Sequence, residues 1–172
     1  PMVIPLAIGL VGKDGHDLPL LLSNSKTIER GVLVLSETAQ TFEFTGMDEK
    51  PVLSINRGFS APIKLVSDLG SDDLAFLAAH DADAFNRWQA LQTISMRLLI
   101  DNVAALRAGK PPRVDDKLIA ALAAVLDDTT LEPAFVALAL APPGEGDIAR
   151  EIGHDIDPDA VHRARAALRA GI

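Results

Sequence analysis

Residues 54–90 read SINRGFSAPIKLVSDLGSDDLAFLAAHDADAFNRWQA, and the fold of the chain turns on them. Up to Val66 the apolar residues fall in short runs between turn signals, as strands do. From Ser71 they recur every three to four residues, as on a helix face. Two distinctive runs flank the change: Arg57-Gly58-Phe59-Ser60-Ala61-Pro62 and Asp83-Ala84-Phe85-Asn86-Arg87-Trp88.

Working back from this seam, residues 1–66 predict six short strands with no helix between them. Met2–Leu10 is an apolar run of strand length. Asp14-Gly15 supplies a turn, and Leu18–Leu22 forms the return strand of a hairpin. Ser23-Asn24-Ser25 is a loop. Val32–Leu35 follows Gly31, and Gln40–Thr45 alternates with period two, placing Phe42 and Phe44 on one face. Val52–Ile55 and Ala61–Val66 complete the set. This pattern predicts an antiparallel, Ig-like β-sandwich over residues 1–67.

Working forward, residues 68–172 predict an all-α bundle or solenoid segment of armadillo-like type. Ser71 is the expected N-cap of a first helix, with Asp72 and Asp73 in its first turn. Asp83 is the expected cap of a second, about 37 Å long, that stops at Gly109 before Pro111-Pro112. A third helix starts at Asp115 or Asp116 and a fourth at Thr129 or Thr130, broken by Pro142-Pro143-Gly144. A short helix spans 147–152. Asp157 before Pro158 is a cap-plus-proline start for a last helix ending at Gly171. The fold class is thus α+β: a sandwich followed by stacked helices.

Composition excludes several function classes. A formal net charge of −8 argues against nucleic-acid partners, because phosphate neutralisation requires clustered Lys and Arg. The absence of cysteine removes disulfides, thiolate metal sites and a cysteine nucleophile, and it fits a reducing compartment. No apolar run approaches the ~20 residues that cross a bilayer. Pro1 ahead of Met2 is read as the mark of an excised piece.

Catalytic constellations are missing. The histidines are His16, His80, His154 and His162, and no pair has H-E-x-x-H spacing. The group His154, Asp155, Asp157 and His162 reads as a helix start rather than a metal site. Ser60 lacks a G-x-S-x-G elbow and a base. Gly9, Gly12 and Gly15 fit a hairpin better than a phosphate loop. The candidate residues at the seam are therefore structural: Arg57, Phe59, Asp83, Arg87 and Trp88. Asp83 and Arg87, four apart, are expected to cap and to pair, and Trp88 to pack as core. The functional counter-reading has Arg57 or Arg87 gripping a substrate carboxylate bidentately.

Taken in order, PMVIPLAIGLVGKDGHDLPL (1–20), TFEF (41–44), RGFSAPIKL (57–65), FLAAHDADAFNRWQALQ (76–92) and IDPDAVHRARAAL (156–168) carry a resemblance to the bacterial M1 zinc metallo-aminopeptidases. The resemblance covers nearly the whole chain and is strongest from Pro51 to Gln92. It implies the third, β-sandwich domain of a four-domain enzyme plus the first helices of its C-terminal superhelix. The family's G-A-M-E-N motif, its H-E-x-x-H zinc pair and its catalytic Tyr have no counterpart here, and the chain has no Tyr at all. The resemblance thus implies no catalytic, cofactor or metal residue in this chain, and zinc only in a full-length parent. It implies the parent's remaining domains as partners, peptides as substrates reached through the parent, and a cytoplasmic location. The piece would brace the catalytic domain and begin the wall of a substrate chamber. The alternative is a ligand- or protein-binding sandwich with a helical extension and no catalysis.

Overall fold

The computed structural model describes residues 3–24 and 28–172. The expectations for Met2 and Ser25 lie outside the described residues. The chain forms two compact units. One comprises residues 1–69 together with 80–87, and the other comprises 70–79 together with 88–172.

The first unit is built on β1 (Ile4–Val11). Its first half pairs antiparallel with β2 (Val32–Leu35), Leu6 opposite Leu33. Its second half pairs antiparallel with β3 (Val52–Ile55), Leu10 opposite Leu53. β1 is therefore the middle strand, which explains its apolar run: Leu6, Ile8, Leu10 and Val11 are all buried. Phe44, Leu20 and Ile63 pack against Leu6 and Ile8 from the connecting segments.

Three of the six expected strands do not form ladders among the described residues. Leu18–Leu22 makes only isolated bridges, Val11 with Asp17 just before it and Leu22 with Phe44. Pro19 in its middle has no N–H to donate. Gln40–Thr45 contributes its single bridge at Phe44, flanked by Ser23 N–H to Glu43 O and Thr45 N–H to Leu21 O. Ala61–Val66 is not a strand. Pro62 lacks a donor, and the Ile63 N–H turns back to Ala61 O at 2.9 Å.

The second unit holds most of the helical residues. In α1 (Ser71–His80) Ser71 is already helical, and Gly70 O accepts the Leu74 N–H at 3.0 Å. The cap thus sits one residue earlier than expected. The helix buries Leu74, Leu77 and Ala78. The long α2 (Ala84–Arg107) ends in a Schellman turn. Lys110 N–H reaches Ala105 O, Gly109 N–H reaches Leu106 O, and Gly109 takes φ 71°. In α3 (Asp116–Asp127) the Asp115 carboxylate accepts the Lys117 and Leu118 N–H groups, and Leu118, Ala121, Leu122 and Val125 are buried at helical spacing. α4 (Pro133–Ala139) starts at Glu132, not at Thr129 or Thr130. Pro133 occupies the first helical position, where a missing donor costs nothing. α5 (Glu145–Ile152) begins two residues before the expected start. α6 (Pro158–Gly171) is capped by Asp157, whose carboxylate accepts the Ala160 N–H at 3.0 Å.

Asn102 is the one buried side-chain amide of the second unit's core. Its Nδ2 donates to Arg113 O at 2.8 Å and its Oδ1 accepts from Arg113 N at 2.9 Å. Pro111 and Pro112 lack donors, so this paired bond, with the exposed Arg113–Asp101 ion pair, ties the loop before α3 to α2.

Candidate functional site

The most organised polar group in the molecule lies within the first unit, around Arg57. The turn that carries it is unusual: Asn56, Gly58 and Phe59 all take left-handed φ, at 63°, 59° and 54°. For Asn56 and Phe59 that conformation costs energy. Asn56 recovers it locally. Its Oδ1 accepts from Ala61 N at 2.8 Å and from Ser60 Oγ at 3.0 Å, and its Nδ2 donates to Ala61 O at 3.1 Å. Ser60 Oγ also accepts the Ala7 N–H at 2.8 Å, which ties the turn to β1.

This turn aims Arg57 across β1. The guanidinium donates two parallel bonds to Asp17, at 2.5 and 2.8 Å. It also contacts Asp81 Oδ1 at 2.8 Å and donates through Nε to Ser54 Oγ at 2.9 Å. The bonds to Asp17 raise the Arg57 pKa, with Asp81 and Asp83 adding to the effect against the opposing cost of burial. Asp81 itself is pushed up from the usual carboxylate value. Burial is the dominant cause, outweighing Ser54, the Asp83 amide and Arg57, which all favour the ionised form.

Residues 80–87 supply the other half of the cluster. Asp81 Oδ1 accepts the Asp83 N–H at 2.9 Å. Asp83 caps α2, Oδ1 accepting the Asn86 N–H at 2.9 Å, while its Oδ2 accepts the Gly58 N–H at 3.0 Å. Asn86 Nδ2 donates to Ser54 Oγ at 2.6 Å and to Ile55 O at 3.0 Å. The Phe59 ring, half exposed, tilts against Phe85 with centroids 5.4 Å apart. Arg57, Phe59 and Asp83 thus come together in one unit. Arg87 is buried one turn into α2, its N–H bonded to Asp83 O, and Trp88 is half-buried at the start of the second unit's share of that helix. Asp17, Ser54, Asp81 and Asn86 were missed in the sequence. The Asp81-Ala82-Asp83 pair ahead of a helix was the only available signal.

The two hydroxyls of this cluster are already taken up by hydrogen bonds. Ser54 Oγ is fully buried and accepts two donors, so no reactant can approach it. Ser60 Oγ is likewise engaged. Among the described residues no three His, Asp or Glu side chains stand close enough to hold a metal ion, and His162 Nδ1 lies 2.9 Å from Glu145 Oε1 in a simple pair. The residues present do not fit a zinc site. Among the described residues no helix is long and apolar enough to cross a membrane.

Comparison with known proteins divides the chain near residue 70 and places 80–87 with the helical part. Residues 1–68 match a domain of unknown function, DUF3458, described as an Ig-like fold, and residues 71–172 match DUF3458_C, described as ARM repeats. The chain is 39% identical to the aminopeptidase N of Caulobacter vibrioides over 96% of its own length and 18% of the relative. It is 33% identical to the aminopeptidase N of Escherichia coli over 98% of its length and 19% of that protein. A crystal structure of Legionella pneumophila aminopeptidase A in complex with aspartic acid superposes with a TM-score of 0.75 at 22% identity, covering 96% of this chain and 18% of that one, which shows the shared fold. The chain therefore spans about a fifth of the length of the relatives it matches. An Ig-like unit followed by ARM-repeat helices, in the order and over the span shared with proteins named aminopeptidase N, makes this chain a member of the DUF3458_C family.

Proposed function

We propose that this chain is the non-catalytic middle portion of a cytoplasmic, zinc-dependent M1-type aminopeptidase. Its sandwich domain spans residues 1–67 and the start of the helical domain spans 68–172. The observation that carries the reading is the identity to aminopeptidase N over 96% of this chain against only 18% of the relative. Peptide hydrolysis at an N-terminus belongs to the remainder of such a protein, since among the described residues no group of metal donors stands together and the Ser54 hydroxyl is buried and engaged. The role left to this portion is positional: bracing the catalytic domain and starting the wall of a substrate chamber. The Arg57 cluster supports that role, because its bonds tie Asp17, Ser54, Arg57, Asp81 and Asn86 of one unit to one another across long stretches of sequence. The remaining domains are its partners, peptides are met only through them, and the net charge of −8 disfavours nucleic acid.

The test has two arms. Sequencing the natural reading frame around these residues should reveal an upstream H-E-x-x-H, and a frame without one refutes the parentage. The 172 residues alone should neither retain zinc after dialysis against a chelator nor hydrolyse an alanyl chromogenic amide. Turnover by the metal-free chain refutes the non-catalytic role.

A further inference from the structure

Residues 80–87 belong to the first unit although α1 and most of α2, on either side of them, belong to the second. Within the first unit they are tied down by the contacts of Asp81, Asp83 and Asn86. We propose that this segment is an acid-tightened latch whose responsive group is the buried carboxyl of Asp81.

The geometry leaves the ionised carboxylate poorly served. The Asp81 side chain has no solvent exposure. Its Oδ1 is answered by Arg57 and by the Asp83 N–H, but its Oδ2 is buried without a hydrogen-bond partner. The nearby cation is not its own. Arg57 is held more fully by Asp17, through two bonds, and Asp81 receives one nitrogen. The charged and titratable groups at Asp81 are Arg57 from the turn after β3 and Asp83 from the segment itself, with Asp17 from the hairpin bound to the far side of Arg57 and His80 next to Asp81 in sequence. Asp83 opposes ionisation, Arg57 favours it, and Asp17 competes for Arg57. His80 lies against Gly15. Burial outweighs the rest.

The direction follows from linkage. When the segment lifts into solvent, Asp81 becomes an ordinary carboxylate. When it is docked, the protonated form is favoured relative to that reference. A proton on Asp81 therefore favours docking. The contribution is complete below the ordinary carboxylate pKa and is lost as pH rises through the higher docked value.

Peptide-resolved hydrogen exchange tests this on the protein at its full natural length, with rates corrected for intrinsic exchange. Lowering the pH from 7.5 to 4.5 should raise protection of the Asp83, Asn86 and Arg87 amides several-fold. Asp81→Asn, neutral at every pH, should abolish the rise and hold protection near the acid level. Glu49→Gln, which alters the exposed Lys13 pair in the same unit, should leave the rise intact. Protection in the unaltered protein that is flat or falls on acidification overturns the latch, even if the Asn variant does not fold. A rise that survives in Asp81→Asn, or vanishes in Glu49→Gln, also overturns it.

Discussion

The guanidinium of Arg57 rests directly on Gly9: a methyl group added at Gly9 would lie 2.0 Å from Arg57 Cζ and 2.3 Å from both terminal nitrogens. Only a residue without Cβ lets Arg57 cross β1 to reach Asp17 and Asp81. Gly9→Ala should therefore expel the guanidinium, break its paired bonds to Asp17 and leave the Asp81 carboxyl buried with no cation beside it. The expected cost is about 3 kcal/mol, the scale for removing one partner of a buried pair. A urea melt checks it, and a loss below about 1 kcal/mol would mean that Arg57 relocates without penalty.

Asn56 combines a left-handed backbone with three side-chain bonds, so its two contributions can be separated. Asn56→Ala loses the bonds and keeps a left-handed Cβ, and should cost about 4 kcal/mol, at about 1 kcal/mol per bond plus about 1 for the left-handed penalty. Asn56→Gly loses only the bonds and should fall between. If the glycine variant melts below the alanine variant, the backbone strain assigned here is wrong.

Arg107 reaches from the end of α2 to Asp155, bonding both its carbonyl and its carboxylate. Hydrogen bonding to Arg107 holds the Asp155 carboxyl below its ordinary value. A lowered folded pKa gives stability that is present above the ordinary carboxylate pKa and lost as pH falls through the folded one. Asp155→Asn tolerates the residue's left-handed φ of 50° and removes only the charge. The variant should melt below the parent at pH 6, and the difference should shrink as the pH falls below the ordinary carboxylate range. Because the pair is exposed, 1 M salt should shrink the difference at pH 6 as well.

In the helical unit Leu99 is completely buried, whereas Trp88 is only partly so. Leu99→Ala should cost about 3–5 kcal/mol through lost transfer energy and a residual cavity. Reading Trp88 as core predicts a similar penalty. Its exposure lowers that expectation to about 2 kcal/mol. Paired denaturant melts decide the order, and a larger loss for Trp88→Ala reverses it.

Local chemistry was legible in this chain wherever one short segment governs the outcome. Asp115 and Asp157 cap their helices because a carboxylate reaches backbone N–H groups two or three residues away. Gly109 ends α2 because its left-handed φ closes the Schellman turn. The change from period two to period 3.6 across Ser54–Ala90 marks the passage from strands to helices. Strand existence was less legible. Alternation at Gln40–Thr45 records which side chains face the core, but a ladder also needs a neighbour with free donors, and Pro19 and Pro62 remove them.

The sequence by itself determined the order of the two units and most helix ends, since each depends on residue types acting over a few positions. Only the tertiary structure decided what Arg57 does. Asp17 lies 40 residues from it, and Gly9 must present a bare backbone for the two to meet. It also decided that Asp81 is pushed up rather than down despite its contact with Arg57. Desolvation is set by everything packed around a carboxyl, and no local pattern of residues records how much water the folded chain takes away.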